Sequence, residues 1–314
     1  MSTAQTQPTE VMASRDKGVS WYEASARTRV RLLIDAGSFV EFIGPEQREV
    51  SPHLRVFDLP EQYDDGIVVG RGILEGSPVF VAAQEGRFMG GAFGEVHGAK
   101  LTGLLRAARD IKSIPVLILF DTGGVRLQEA NAGELAIAEI MRAVVEARTA
   151  GVKVIGLIGG RAGCYGGGGL IAGCCSALAV SEQGRIAVSG PEVIETNRGV
   201  EEFDSRDRAL VWRTMGGKHR RLLGGAEAFV EDTVQDFRDA ALALLGAAAG
   251  FGIDTLNAEQ SRLEDRLQRF GSCRDAVDIW AAEGAPDPDS IPALPADLFI
   301  ALADKVRRPG HDAR

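Results

Sequence analysis

Short apolar runs alternate with amphipathic stretches along the middle of the chain. The runs with the clearest strand character are residues 79–83, 114–120 and 154–158. Between them, apolar residues recur at the spacing of one helix face: Leu101, Leu104, Leu105 and Ala108, and then Ile137, Ile140, Met141 and Val144. Strands that alternate with helices predict an α/β fold with right-handed crossovers between the strands.

The region before these runs contains one predicted helix start and one predicted loop. Ser20 and Glu23 have the S-x-x-E spacing of a capping box, which predicts that a helix begins there. An extended segment is predicted at residues 38–43, and the charged, proline-containing residues 44–64 predict a loop. The polar residues 1–19 are expected to form a flexible lead-in.

The last third of the chain has a different character. Beyond about residue 200 the pattern is mostly helical, and residues 226–249 predict one long helix. Residues 284–314 begin with a stretch rich in Pro and Asp, which predicts a loop followed by a loose tail. We find no internal repeat, so residues 20–283 are expected to form one domain.

Two glycine clusters each follow a predicted strand and lead into a predicted helix. The first contains Gly90 and Gly91, and the second contains Gly166 and Gly167. Glycine lets backbone N–H groups approach a ligand closely, and the first N–H groups of a helix have no partner within the helix. We therefore expect the two turns to converge and to form backbone oxyanion holes at these four glycines.

Other uses of the glycine clusters stay open at this point. The glycines can serve only to let a helix pack tightly on a strand. A dinucleotide-binding loop is disfavoured because the G-x-G-x-x-G pattern is absent, and the absence of a G-K-[ST] motif disfavours a phosphate-binding loop. A backbone site for a developing negative charge explains both clusters together.

Composition excludes several classes of function. The net charge of −9 disfavours nucleic-acid binding, and no apolar stretch reaches the length of a membrane span, so a cytoplasmic protein is expected. The four cysteines fit neither a zinc ribbon nor a disulfide framework, and no metal site is predicted. Cys164 lies in the second glycine cluster and is a weak candidate for a nucleophile, since no sequence pattern supplies a base for it.

Four segments resemble, in the same order, the motifs of biotin-dependent carboxyltransferase domains. They are residues 25–39, 90–100, 121–129 and 190–194, the third of which reads DTGGVRLQE. The resemblance extends over roughly residues 20–250. It implies a crotonase-like (ClpP/crotonase) carboxyltransferase fold, built from repeated ββα units with a helical C-terminal part.

Within that superfamily the sequence most resembles the β subunits of biotin-independent malonate decarboxylases. The zinc-ribbon cysteines expected before the bacterial acetyl-CoA carboxylase β subunit are missing. The resemblance implies that a malonyl thioester is decarboxylated to an acetyl thioester and CO2. It further implies a homologous γ subunit, an acyltransferase α subunit and an acyl-carrier subunit that bears a CoA-like prosthetic group, whereas this chain itself binds no cofactor.

Side chains near the glycine clusters are further candidates. His97 follows the first cluster and is a candidate proton donor, although it can equally serve only to hydrogen-bond its surroundings. Tyr165, Arg161 and Gly168 flank the second turn and are candidates for substrate binding or for scaffolding of the turn. The basic run at residues 218–221 is either a solvated helix face or a binding site for the acidic carrier.

Two other functions stay open alongside the decarboxylase. The chain can be a carboxyltransferase half that acts on an acyl-CoA and carboxybiotin, and avidin would then stop its activity. Alternatively it can be a non-catalytic scaffold, and bulky substitutions at the glycines near 90 and 167 would then spare turnover.

Overall fold

The computed structural model describes residues 18–247 and 250–306. Its strands are β1 (Val40–Phe42), β2 (Ile67–Leu74), β3 (Ser77–Gln84), β4 (Val116–Phe120), β5 (Val154–Ile158), β6 (Cys164–Tyr165), β7 (Ala177–Ser181), β8 (Ile186–Ala187) and β9 (Ala228–Val230). Seven of them form a central sheet in the order β1-β2-β3-β4-β5-β7-β9, while β6 and β8 pair separately. From β3 to β9 every neighbouring pair is parallel.

Helices cover the sheet and form most of the C-terminal part. They are α1 (Ala26–Leu33), α2 (Pro52–Val56), α3 (Glu95–Ile111), α4 (Asn131–Thr149), α5 (Gly167–Cys174), α6 (Pro191–Arg198), α7 (Arg208–Met215), α8 (Gly217–Leu222), α9 (Val234–Ala247), α10 (Ile253–Phe270), α11 (Ala276–Ala282) and α12 (Ala296–Val306). Among the described residues, no helix is both long enough and apolar enough to cross a bilayer.

The central strands are buried because both faces of the sheet carry helices. Side chains of β4 alternate between two apolar clusters: Ile118 packs with residues of α3 and α4, and Leu119 packs with residues of α1 and α9. All residues of β4 and β5 are buried, as expected for a parallel sheet between two helical layers. The predicted α/β architecture is confirmed.

The small β6–β8 pair gives the fold its repeated unit. β5 is followed by β6 and α5, and β7 is followed by β8 and α6, so two ββα units succeed one another. Cys164 of β6 also bridges to Thr122, the second residue after β4. The small sheet therefore connects the segments that follow three strands of the central sheet.

The start of the first helix differs from the prediction. α1 begins at Ala26, and Ser25 rather than Ser20 is its N-cap. The hydroxyl of Ser20 instead donates to the carboxylate of Asp232 at 2.5 Å. Ser20 does accept the backbone N–H of Glu23, at 3.1 Å, but this bond closes a turn before the helix.

The prediction of one long helix at residues 226–249 is wrong for the first part of this range. Ala228–Val230 forms β9, which pairs in parallel with β7, and α9 begins only at Val234. Pairing with the open edge of β7 decides the conformation of this short apolar run, which periodicity could not distinguish from a helix. Residues 248 and 249 lie outside the described residues.

Other predicted loops and termini have mixed outcomes. The predicted loop at 44–64 contains the short helix α2, and the predicted loop after residue 284 contains the 3₁₀ turn Pro288–Ala293 and the start of α12. Almost all of the predicted lead-in (1–17) and of the predicted loose tail (307–314) lies outside the described residues.

Candidate active site

Three neighbouring strands end at one edge of the central sheet, and each continues into a glycine-containing turn. β3 ends at Gln84, β4 at Phe120 and β5 at Ile158. Because these strands are parallel, the turns that follow them lie at the same edge, which is where α/β proteins usually bind ligands. The turn after β4, residues 121–124, lies between the other two because β4 is the middle strand.

The first glycine turn (residues 88–94) contains three successive residues in the left-handed region. Met89, Gly90 and Gly91 have φ values of 50°, 65° and 66°. A Cβ on Gly91 would lie 1.7 Å from the carbonyl oxygen of Asp121, so only glycine fits there. Gly90 has open space beside it, and the described residues include no acceptor for its N–H.

The central turn (residues 121–124) contacts both glycine turns. The N–H of Gly123 donates to the carbonyl of Gly90 at 2.8 Å. On the other side, a Cβ on Gly166 would lie 3.3 Å from the Cα of Gly124. The structure therefore brings the two glycine clusters of the sequence against one short segment of backbone.

The second glycine turn (residues 159–167) leads directly into α5. Gly166 is the N-cap, with φ of 56°, and Gly167 is the first helical residue. A Cβ on Gly168 would lie 2.4 Å from Cγ2 of Thr122, so α5 packs closely on the central turn. Within the described part of the chain, the N–H groups of Gly167 and Gly168 have no acceptor.

The N-terminus of α3 is already capped by carboxylates from other segments. Glu129 accepts the N–H of Glu95 at 2.5 Å, and Asp65 accepts the N–H of His97 at 2.9 Å. Arg126 lies within 3.1 Å of both carboxylates and forms an ion pair with each of them. The argument that a helix N-terminus attracts a ligand anion therefore applies to α5 and not to α3.

His97 lies inside the protein, away from solvent. Its ring Nδ1 is 3.0 Å from the carbonyl oxygen of Asp65, and its Nε2 is 3.3 Å from Nε2 of Gln84. Burial, assisted by the nearby Arg126 charge, lowers the pKa of His97 well below its usual value. This placement favours the role in which His97 hydrogen-bonds its surroundings over the expected proton donor.

Tyr165 and Arg161 contact different neighbours. Tyr165 is buried against Val211 and Met215, and burial raises the pKa of its phenol. The guanidinium of Arg185 lies 5.9 Å from the centre of the Tyr165 ring. Arg161 is half-exposed and forms a 2.6 Å ion pair with Glu23. Substrate binding by either side chain stays a prediction.

The basic run at residues 218–221 is not a solvated face. Lys218 is buried and donates to Glu182 at 3.1 Å, and the buried Arg221 donates to Asp304 at 2.7 Å. These contacts tie α8 to β7 and to α12. The expectation of a solvated helix face is therefore wrong, because Lys218 and Arg221 are buried and each is paired with a carboxylate that reaches the surface.

Comparison with known protein families identifies the class of protein to which this fold and these glycine turns belong. Residues 23–216 match the family described as "Carboxyl transferase domain". This match covers well over half of the chain, and the chain therefore belongs to the carboxyl transferase domain family. The resemblance carried by the four sequence motifs is confirmed.

Individual relatives show which members of this family the chain resembles. The chain is 38% identical over 309 residues to malonyl-S-ACP:biotin-protein carboxyltransferase of Malonomonas rubra, covering 92% of this chain and 96% of the relative. It resembles a chain of a Pseudomonas malonate decarboxylase hetero-tetramer in complex with malonate, with a TM-score of 0.77 and 39% identity over 87% of this chain and 99% of that chain. It also resembles a chain of a Pseudomonas malonate decarboxylase hetero-dimer, with a TM-score of 0.64 and 38% identity over 81% of this chain and 97% of that chain.

Two side chains of the site escaped the sequence analysis. Gln84 ends β3 and bonds to both the first glycine turn and the first residue of the central turn, and Asp65 caps α3 from a loop. A glutamine at a strand end carries no motif that would reveal it. The D-D-G sequence that includes Asp65 does suggest a turn, but it does not indicate a cap for a helix 32 positions away.

Proposed function

We propose that this chain is the β half of a heteromeric enzyme that decarboxylates a malonyl thioester carried on an acyl-carrier subunit. The bond between the α carbon and the carboxylate breaks, CO2 leaves, and the electron pair passes into the thioester to give an enolate. Protonation of the α carbon then yields the acetyl thioester. Its expected partners are a homologous γ subunit, the carrier with its CoA-like prosthetic group and an acyltransferase α subunit, all in the cytoplasm.

The observation that supports this proposal is the shared location of two backbone N–H groups that have no acceptor among residues 18–247 and 250–306. The N–H of Gly90 and the N–H of Gly167 belong to turns that pack against the same central segment. Backbone donors of this kind can stabilise an enolate oxygen without a charged side chain, and removal of one such donor typically costs about 3–4 kcal/mol of transition-state stabilisation. We assign the N–H groups of Gly90 and Gly167 as the donors of these oxyanion holes, and we assign Gly91 and Gly166 the role of shaping the two turns, since the N–H of Gly91 already donates to the carbonyl of Phe88 at 2.9 Å.

A second candidate is carboxyl transfer to biotin. It is favoured by the Malonomonas rubra relative, whose name specifies a biotin-protein acceptor. Both candidates begin with the same bond cleavage and the same enolate. They differ only in whether the carboxyl group leaves as CO2 or is passed to an acceptor.

Avidin separates the two candidates. We would measure CO2 release from a malonyl thioester on the carrier, using this chain copurified with its homologous partner. Release that persists with excess avidin is expected for the decarboxylase. Release that requires an added biotinyl acceptor, or that avidin abolishes, would identify the carboxyltransferase instead.

A pair of substitutions tests the oxyanion role of Gly167. Proline is tolerated at the first position of a helix and lacks an N–H, whereas alanine adds a similar Cβ and keeps the N–H. Because a Cβ there would lie 2.4 Å from Ile137, both changes are made together with Ile137→Ala. We expect Gly167→Pro to have a kcat about 100-fold below that of Gly167→Ala. Equal rates in two folded complexes would favour a scaffold role.

A further inference from the structure

The side-chain amide of Gln84 joins three parts of the site. It is fully buried at the end of β3. Its Oε1 accepts the backbone N–H of Asp121 at 3.2 Å, and its Nε2 donates to the carbonyl of Gly91 at 3.2 Å. The same Nε2 lies 3.3 Å from Nε2 of His97. One amide therefore contacts the first glycine turn, the end of β4 and the start of α3.

The direction of each hydrogen bond follows from the backbone groups involved. The N–H of Asp121 can only donate, so Oε1 of Gln84 is the atom that faces it. Both protons on Nε2 are then directed at Gly91 and at the imidazole of His97. The imidazole must accept at Nε2 and must carry its proton on Nδ1, which donates to the carbonyl of Asp65.

The first glycine turn needs such support. Met89, Gly90 and Gly91 all adopt left-handed backbone angles, which a side-chain-bearing residue such as Met89 adopts only at a cost. A strained turn persists only where the surrounding structure fixes it. Two hydrogen bonds from outside the turn reach its left-handed residues: Gln84 binds the Gly91 carbonyl, and Gly123 binds the Gly90 carbonyl.

We infer that Gln84 is a positioning residue that holds the N–H of Gly90 in the orientation required for the enolate. The inference rests on the proposed function. Gln84 has no exposed surface, so it acts through the turn and does not touch the substrate. His97 completes the arrangement by accepting the second proton of the amide and thereby preventing the amide from rotating.

Two substitutions at Gln84 test the inference in the assembled complex. Gln84→Leu removes all three hydrogen bonds, and we expect kcat to fall about 10- to 100-fold while KM changes little, because a small misplacement of a catalytic group has an effect of this size. Thr102→Val is the matched control, since the buried Thr102 hydroxyl of α3 has no hydrogen-bond partner within the part of the chain that the structure describes. A folded Gln84→Leu complex with the kcat of the control would overturn the inference.

Gln84→Glu adds a readout that general destabilisation would not produce. An ionised carboxylate cannot donate to the carbonyl of Gly91, but a protonated carboxylic acid can. The kcat of this variant relative to the wild type is therefore expected to rise as pH falls from 8 to about 5.5. A ratio that does not change with pH would count against the positioning role.

Hydrogen exchange separates this inference from the proposed function. In Gln84→Leu we expect faster amide exchange in residues 88–94 and unchanged exchange in residues 164–170, which span the end of the second turn and the start of α5. Unchanged exchange in both segments would overturn the inference. Faster exchange in a complex whose wild type releases no CO2 would retain the structural role of Gln84 and reject the proposed reaction.

Discussion

Arg29 of α1 and Asp121 of the central turn form an ion pair of 2.8 Å with both side chains almost completely buried. The second carboxylate oxygen of Asp121 accepts the backbone N–H of Ala162 in the second glycine turn, at 2.7 Å. One carboxylate therefore joins the N-terminal helix, the central turn and the second turn. The charge of Arg29 is neutralised at the point where the turns meet.

Substitution of Asp121 is expected to be strongly destabilising. Asp121→Asn keeps the shape of the side chain but leaves the Arg29 charge buried without a counterion. We expect the free energy of unfolding to fall by about 3–5 kcal/mol, measured by urea denaturation. The control is Arg106→Met, which breaks the solvent-exposed pair with Glu139 and should lower the free energy of unfolding far less than Asp121→Asn does. Equal losses in the two variants would contradict this reasoning.

The glycines are expected to differ sharply in their tolerance of alanine. Gly91→Ala places a Cβ 1.7 Å from a backbone oxygen at a left-handed φ, so we expect a loss of about 3 kcal/mol or more in the free energy of unfolding. Gly173→Ala in α5 meets no atom within 4 Å and should raise stability by about 0.5–1 kcal/mol. Thermal unfolding of the two variants would show whether stability falls in Gly91→Ala and rises in Gly173→Ala. A mild effect at Gly91 would show that the turn can rearrange.

Periodicity in the sequence was sufficient to predict the central part of the fold. β5 has the predicted bounds, and the residues at helical spacing in α3 and α4 are buried or partly buried. Short segments at the sheet edge were less predictable. The residues of β9 form a strand only because β7 offers an open edge, a tertiary effect that is invisible in a local pattern.

The site was only partly predictable for a related reason. Glycine clusters are recognisable because a missing side chain is a property of the sequence itself. The role of Gln84 depends on Asp121, 37 positions later, and on His97, 13 positions later. For the same reason His97 suggested a proton donor in the sequence, whereas the structure surrounds it with groups that keep it neutral.

The stability of the protein is expected to depend on pH through His219. Nδ1 of His219 accepts a hydrogen bond from the indole N–H of Trp280 at 3.1 Å, and burial lowers the pKa of His219 to about 3. Histidine in an unfolded chain has a pKa of about 6.5. At pH values between about 3 and 6.5, the unfolded chain therefore binds a proton at His219 that the folded chain does not. The free energy of unfolding should therefore decrease as pH falls, by about 1.4 kcal/mol per pH unit from this residue.

The comparison variant for this prediction is His219→Gln, which retains an acceptor for Trp280 but does not titrate. Its free energy of unfolding, measured by urea denaturation between pH 6 and 4.5, should fall less steeply than that of the wild type. The difference between the two slopes should correspond to the uptake of about one proton on unfolding of the wild type. Parallel curves would show that His219 is not held neutral in the folded protein.

Cys164 is expected to be unreactive in the folded complex. Its thiol is fully buried, and burial raises its pKa well above the usual value, so almost no thiolate is present near neutral pH. Alkylation with iodoacetamide followed by peptide mass analysis should modify the partly exposed Cys273 before Cys164. Rapid modification of Cys164 in parallel with loss of turnover would instead restore it as a candidate nucleophile.

The caps of α3 also bear on how the protein is made. The carboxylate that binds the N–H of Glu95 belongs to Glu129, 34 positions later in the chain. A nascent chain that has not yet released residues 121–129 from the ribosome lacks this cap, and it also lacks Asp121, which binds Gln84, and Gly123, which binds the first glycine turn. The first glycine turn and the start of α3 should therefore acquire their final form only after β4 and residues 121–129 have been synthesised.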